Sequence, residues 1–348
     1  MPTRVGRYTI RLDQPPSISG YASVVGKKEG EGPLADEFDQ IEEDTTFGEK
    51  TWEKAESRMQ NNTLNKALGK ANITPGTVDI IFAGDLLNQC IGTSYGLREF
   101  GIPFAGLYGA CSTMAESLAM AAVFVEGGFA NVAAALTSSH FCSAERQYRL
   151  PLEYGGQRPP SAQWTVTGSG AVVLGKEGDG PYVRELTFGR MVDLGIKDQG
   201  NMGAAMAPAA ADTLKHYFDD TGVSPDRFDL IATGDLGAVG SNLLRELLQK
   251  EGVTLGGNYN DCGLMIYDRD KQDVHAGGSG CGCAASVLCS HILNNMKSGH
   301  LHEVLFMATG VLMSPLSVQQ GQSIPSVAHA VHPVSYTHLR AHETCADL

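Results

Sequence analysis

The sequence predicts an α/β fold built from two similar halves, and three observations carry that prediction. First, "TLNKALGKANITPGTVDIIFAGDL" (Thr63–Leu86) aligns without a gap with "TLKHYFDDTGVSPDRFDLIATGDL" (Thr213–Leu236), an offset of 150. Second, "DIIFAG", "NVAAALT" and "EVLFMATG" are continuous apolar runs, as in strands of a sheet buried on both faces between helices. Third, 42 of the 348 residues are Gly, often paired with Ser or Ala, which suits many tight strand-to-helix turns.

Each copy reads as a helix, a turn with Pro (Pro75, Pro225), a short apolar strand and Gly-Asp-Leu. The match resumes further on. "ACSTMAESLAMA" (Ala110–Ala121) answers "GCGCAASVLCSH" (Gly280–His291), placing Cys111 opposite Cys281 and Leu118 opposite Leu288. Both segments are rich in Ala, Ser and Gly, which suits central helices whose backbones approach closely. Each then leads through Gly to an apolar strand, "GGFANVAAALTSS" and "SGHLHEVLFMATG". This organisation divides the chain into a first half, residues 1–175, and a second half, residues 176–331.

Three stretches lie outside the repeat. The insertion at residues 138–165 carries a Pro pair, several Gly and Arg146, Arg149 and Arg158, and reads as a functional loop or interface element. Residues 26–50 are acidic and Gly-bearing and read as a surface excursion with a short helix. From His332 the apolar pattern stops, and "SYTHLRAHET" resembles translated adapter read-through. Residues 332–348 are therefore expected to be a non-native tail that replaces the native terminus, and His338, His342 and Cys345 are set aside as ligands.

Composition excludes several classes. A formal net charge of −13 argues against nonspecific nucleic-acid binding and adhesion to anionic lipid. No apolar run approaches a membrane span, and no basic start leads into an apolar segment. The eight scattered Cys read as reduced thiols of an intracellular protein. Cys281-x-Cys283 has the wrong spacing for a zinc knuckle, and His300-x-His302 falls in a turn, so no metal site is expected. "GSGAVVLG" and "GGSGCG" lack a phosphate-loop or dinucleotide context, so no cofactor is expected. Asp85 and Asp235, the twin "GDL" acids, are expected to cap turns rather than ligate Ca2+.

The stretch "IPFAGLYGACSTMAESLAMAA" presents Cys111 between a strand and a helix. A helix N-terminus favours the thiolate and lowers the thiol pKa. A duplicated α/β chain with such a Cys resembles the thiolase superfamily, and "TVTGSGAVVLG" (Thr165–Gly175) is similar to the strand closing the first half of ketoacyl synthases. Longer motifs, "TSSHFCSAERQYRLPLEYGGQRP", "DLGIKDQGNMGAAMAPAAADTL", "NDCGLMIYD" and "AGGSGCGCAASV" among them, resemble the stage V sporulation protein AD family from Gly20 to Ala330. The resemblance implies a thiolase-like fold of layered αβαβα architecture. It also implies a role in moving dipicolinate (pyridine-2,6-dicarboxylate), free or as its calcium chelate, into the developing spore.

In thiolase-like enzymes the Cys takes an acyl group while a His pair, or a His and an Asn, handles the proton and the oxyanion. Here Gly234 and Asp235 sit where the first His belongs, and Cys281 stands in the Asn position. Asp235 would oppose a thiolate and an oxyanion, and Cys281 is a weak donor. Cys111 is thus expected to be a vestigial nucleophile position, and the protein a non-enzyme. The expected ligand site comprises Cys111, Ser112, His140, Arg146, Asp235, Gly280 and Cys281, with Arg149 a further candidate. Two helix N-termini would hold the dianion and Arg146 would pair with a carboxylate. Two alternatives stand beside this reading: an acyl-CoA-dependent acyltransferase or condensing enzyme using Cys111, and a structural subunit of the spore membrane channel complex. The resemblance further implies a homodimer joined around Phe124–Arg149, other stage V sporulation A membrane proteins as partners, and a forespore location peripheral to the spore inner membrane.

Overall fold

The structure, a computed structural model, describes residues 2–148 and 158–335. Five core strands lie in the first half: β1 (Ser17–Gly26), β2 (Ile80–Gly84), β3 (Phe104–Gly106), β4 (Val132–Ser139) and β5 (Gly168–Gly175). Five lie in the second: β6 (Tyr182–Phe188), β7 (Leu230–Thr233), β8 (Tyr259–Asp261), β9 (Val304–Val311) and β10 (Ser326–Val334). They hydrogen-bond in the order β8-β7-β9-β10-β6-β1-β5-β4-β2-β3. Read outward from the centre, each half has the same order: its first strand, then its fifth, fourth, second and third. Polarity repeats as well. β2 runs parallel to β3 and β4, as β7 does to β8 and β9, while the remaining pairs within each half are antiparallel. β1 and β6 meet at the centre through one antiparallel pair, Tyr182 opposite Ser17, and the N-terminal strand Thr9–Arg11 also pairs antiparallel with β6.

The helices that shape the fold are α1 (Trp52–Lys70), α2 (Ile91–Leu97), α3 (Thr113–Glu126), α4 (Phe141–Tyr148), α5 (Met202–Thr221), α6 (Gly237–Lys250), α7 (Cys281–Val287) and α8 (Leu293–Lys297). A π turn, Leu288–Ile292, joins α7 to α8. Thr51 caps α1 and Asn201 caps α5 by accepting from Lys54 N and Ala204 N. Gly222 closes α5 in the left-handed region, φ 69°.

Burial follows this layering. α1 packs on β1 and β5, and α5 on β9 and β10, so each covers an outer face. α3 touches β2 and β4 of one half and β9 and β10 of the other, whereas α7 lies on β1, β4 and β5. These two helices form the middle layer of an αβαβα stack. Small side chains allow it: Ala115, Ala119, Ala122, Ala284 and Ala285 are all buried. The central core gathers around Met114, Leu118, Val287 and Leu288, the outer cores around Leu64 and Leu68 and around Leu214 and Leu244. The paired Leu118 and Leu288 of the repeat thus occupy one core.

Two expectations need correction. Residues 26–50 are not merely a surface excursion. A helical turn, Lys27–Gly30, does form, but its Glu29 is 1% exposed and accepts from Tyr267 Oη and Thr167 N. Gln272 Nε2 also donates to Lys28 O (2.7 Å), so this segment docks on the second half. The tail does not begin at His332, because β10 runs to Val334 and His332 is buried between Glu185 and Glu303. Residues 336–348, with His338, His342 and Cys345, lie outside the described residues. Within the sheet, β4 is flanked by β2 and β5. The open edge of the first half belongs to β3.

Candidate functional site

Cys111 sits in a tight turn. Ala110 adopts φ 50°, a left-handed conformation a β-carbon disfavours. Residues 110–112 form a 3₁₀ turn before α3, in which Ser112 N donates to Gly109 O and Thr113 N to Ala110 O. The side chains of Ser112 and Thr113 donate to the same two carbonyls. The turn rests on Gly310 of β9, where a Cβ would lie 2.2 Å from Gly109 O and 2.9 Å from Ser112 N. Glycine is needed there because backbone meets backbone.

The second half supplies the groups facing the thiol. Asp235 is fully buried; its Oδ2 accepts from Gly280 N (2.9 Å) and Ser279 Oγ (3.2 Å), and its Oδ1 from Thr309 Oγ1 (2.9 Å). Burial pushes the Asp235 carboxyl up to about 6 despite these donors. Burial pushes the Cys111 thiol well above the ordinary thiol range, and the Asp235 charge pushes it further. The expectation that the helix N-terminus lowers this pKa fails, because desolvation and a neighbouring carboxylate outweigh the dipole. Cys281 is buried as well, its Sγ donating to Ser138 O (3.2 Å), and its thiol is likewise pushed up by burial.

A cavity of about 40 Å³ opens beside Cys111. Its walls include Leu86, Ala144, Tyr148, Met202, Val311 and Met313, with Glu145, Thr165 and Ser279 as its other polar residues. Among the described residues no Lys, Arg or His lines it. Tyr108 Oη and Tyr148 Oη meet at 2.6 Å, and Tyr148 donates to Leu86 O (2.7 Å), drawing the end of α4 over the cavity.

The structure therefore brings Cys111, Asp235, Gly280 and Cys281 together. Ser112 lies behind them, fully buried, with its donors used inside the turn. Gly280 N and Gly282 N are likewise occupied, by Asp235 and Ser139 Oγ. His140 is elsewhere: its Nε2 bonds Thr45 O (2.7 Å) and its ring packs near Phe47, and burial lowers its pKa. Arg146 points to the other face of α4 and pairs with Glu53. Arg149 lies outside the described residues. Sequence reasoning missed Glu145, which accepts from Thr165 Oγ1 (2.9 Å), and Tyr148. The i, i+4 spacing places Ala144 and Tyr148 on one face of α4, but nothing in the sequence marks that face as the inward one. Among the described residues no group of His, Cys, Asp or Glu is placed to hold a metal ion, and seven cysteines are free thiols.

Comparisons place the chain. A family model described as "Stage V sporulation protein AD" matches residues 6–333. Stage V sporulation protein AD of Bacillus subtilis (strain 168) is 45% identical over 326 residues, 94% of this chain and 96% of that protein. Among solved structures, 3-oxoacyl-[acyl-carrier-protein] synthase III from Aquifex aeolicus VF5 superposes with a TM-score of 0.57 at 15% identity, over 91% of this chain and 99% of that one. The corresponding synthase III from Pseudomonas aeruginosa PAO1 gives 0.53 at 12% identity, over 92% and 98%. At such identities the likeness shows the fold, which is thiolase-like. With nearly its whole length matched by the family and by the Bacillus protein, the chain belongs to the stage V sporulation protein AD family.

Proposed function

We propose that this sporulation protein is a non-catalytic receptor that holds dipicolinate as its calcium chelate in the cavity beside Cys111, for uptake into the developing spore. The observation that carries this reading is the burial of Cys111 in the cavity wall, near the buried Asp235 carboxylate. A thiol raised by burial and by a nearby carboxylate, with no His among the described residues lining its cavity, is held in the form that does not attack acyl groups. The electrostatics favour the chelate over the free dianion. Glu145 and Asp235 would repel a bare dicarboxylate, whereas Ca2+ neutralises it and accepts further oxygen ligands. The apolar walls suit the face of a pyridine ring. At about 40 Å³ the cavity admits the ring only after Tyr148 and the end of α4 move outward.

Calorimetry tests this reading. Dipicolinate with Ca2+ gives saturable binding, Cys111→Leu abolishes it by filling the cavity, and dipicolinate with a chelator of Ca2+ gives none. Binding unaffected by Cys111→Leu would remove the cavity from the account. The small volume favours a second reading, a structural subunit of the spore membrane channel complex whose cavity stays closed. Absence of dipicolinate binding by folded protein selects it.

Among the described residues no helix is long and apolar enough to cross a membrane, so attachment to the spore inner membrane would run through other stage V sporulation A proteins. A homodimer would use the open edge of β3, where Phe104 and Tyr108 are exposed, rather than β4. Light scattering on Phe104→Asp would then report monomer where the parent protein reports dimer.

A further inference from the structure

We propose that the second half carries a separate anion site, in which a small oxyanion of the phosphate or carboxylate class binds against Arg184. The site is a cavity of about 240 Å³ between β6, the C-terminal end of α5 and the segment Val223–Arg227. Arg11, Arg184 and Arg227 line it together with Glu185, Tyr217 and His332.

The charges do not cancel. Arg11 Nε donates to Glu185 Oε1 (2.7 Å), and Arg227 donates through two nitrogens to Glu303. Tyr217 Oη and His332 complete the two carboxylates. Burial raises both acids, but these partners prevail and hold each at about 2, so both are ionised near neutral pH. Both carboxylates are engaged by these partners. Arg184 is the remaining cation, and its Nη1 is buried with no partner among the described residues. A buried, unpartnered guanidinium nitrogen is costly and is relieved by an oxyanion that accepts from it.

The duplication shows that the cavity is specific to one half. The first strand of each half carries a β-bulge at the same place, Ile18–Gly20 in β1 and Val183–Glu185 in β6. In the first half the bulge holds Ser19 and Gly20. A Cβ on Gly20 would lie 2.5 Å from Ala67 O, so α1 packs directly on the strand. In the second half the corresponding positions are Arg184 and Glu185, and Tyr217 of α5 stands where Ala67 stands in α1. Glu185 holds Tyr217 by a hydrogen bond (2.6 Å), and the space closed in one half becomes a cavity lined by guanidinium groups in the other. A bulge turns adjacent side chains to one face of a sheet, which brings Arg184 and Glu185 to the same wall.

The test is calorimetric titration of the full chain with orthophosphate, and separately with malonate, at low ionic strength. One saturable site is expected for at least one of the two probes, and which of them binds names the class. Arg184→Gln should weaken that binding at least tenfold, and Val223→Phe, which fills the cavity while keeping Arg184, should abolish it. Cys111→Leu should leave it unchanged, which separates this site from the dipicolinate reading. No saturable heat with either probe, or equal affinity in Arg184→Gln, overturns the proposal. If Arg184→Gln fails to fold by circular dichroism, undiminished affinity in Val223→Phe overturns it instead.

Discussion

Each half ends a strand on the same tripeptide, Gly-Asp-Leu, yet the two carboxylates hold different things. Asp85 binds its own loop, accepting from Leu87 N (2.7 Å) and from Thr93 N and Oγ1. In the second half the equivalent loop is held by Asp261, which accepts from Leu236 N (2.8 Å) and Gly237 N (2.9 Å). Asp235 is thereby released to accept from Ser279 and Gly280, where its charge acts on the Cys111 thiol of the first half. The turns differ too: Gly280 takes φ 100°, where Ala110 takes 50°. The spare acid of one half thus raises the pKa of the Cys111 thiol in the other. Matched substitutions in the two halves test this asymmetry.

The largest effects should be symmetric. Leu118→Ala and Leu288→Ala each empty a fully buried position of the shared core, and each should cost about 2–5 kcal/mol in urea unfolding. A loss at only one position would mean the halves do not share a core. The turns should then respond unequally. Gly280→Ala forces a Cβ to 2.6 Å from Ser139 Oγ at a φ hostile to L-residues, and should cost about 1–3 kcal/mol. Ala110→Gly relieves strain in its turn and should change stability by less than about 1 kcal/mol.

Asp235→Asn should lower the Cys111 pKa and speed its alkylation by iodoacetamide near pH 8, whereas Asp85→Asn should leave that rate alone. Equal rates in all three proteins would remove this effect of Asp235 from the account. The smallest effect is in pH dependence. Asp235 at about 6 and Asp261 at about 7 are raised chiefly by burial, so the folded state holds protons that the unfolded chain has already lost. Their contribution to stability is therefore greatest near pH 4 and declines as pH rises to about 7. Glu56, at about 8, and Glu29, at about 7, act in the same direction, and burial is the main cause in both. Urea midpoints should fall between pH 5 and 8, and Asp261→Asn should shallow that slope.

The repeat made the fold legible, because matching strands and Ala-rich helices in both copies leave few ways to stack. The facing of Cys111 and Cys281 followed from the same alignment, whereas the attention to Asp235 came from the resemblance to condensing enzymes. What remained hidden lies outside the repeat. His140 and Arg146 were chosen by proximity in sequence to the end of β4, but packing on Phe47 and pairing with Glu53 turn them away. Glu145 and Tyr148 face the cavity because α4 lies across it, and sequence alone does not orient a helix within an insertion. Likewise Glu29 reads as one more surface acid until Tyr267, far along the chain, arrives to donate to it. The polar text after Val331 concealed the end of β10, whose His332 is buried only because two distant carboxylates receive it.

If the Cys111 cavity binds without reacting, one sample should show both halves of that behaviour. The measurement is intact mass after incubation with acetyl-CoA, beside calorimetry of the same protein with dipicolinate and Ca2+. An unmodified mass is expected, together with saturable dipicolinate binding that Cys111→Leu abolishes. An acetyl adduct on Cys111 that forms and turns over, with no dipicolinate heat, would overturn the receptor reading and establish an acyl-transfer enzyme.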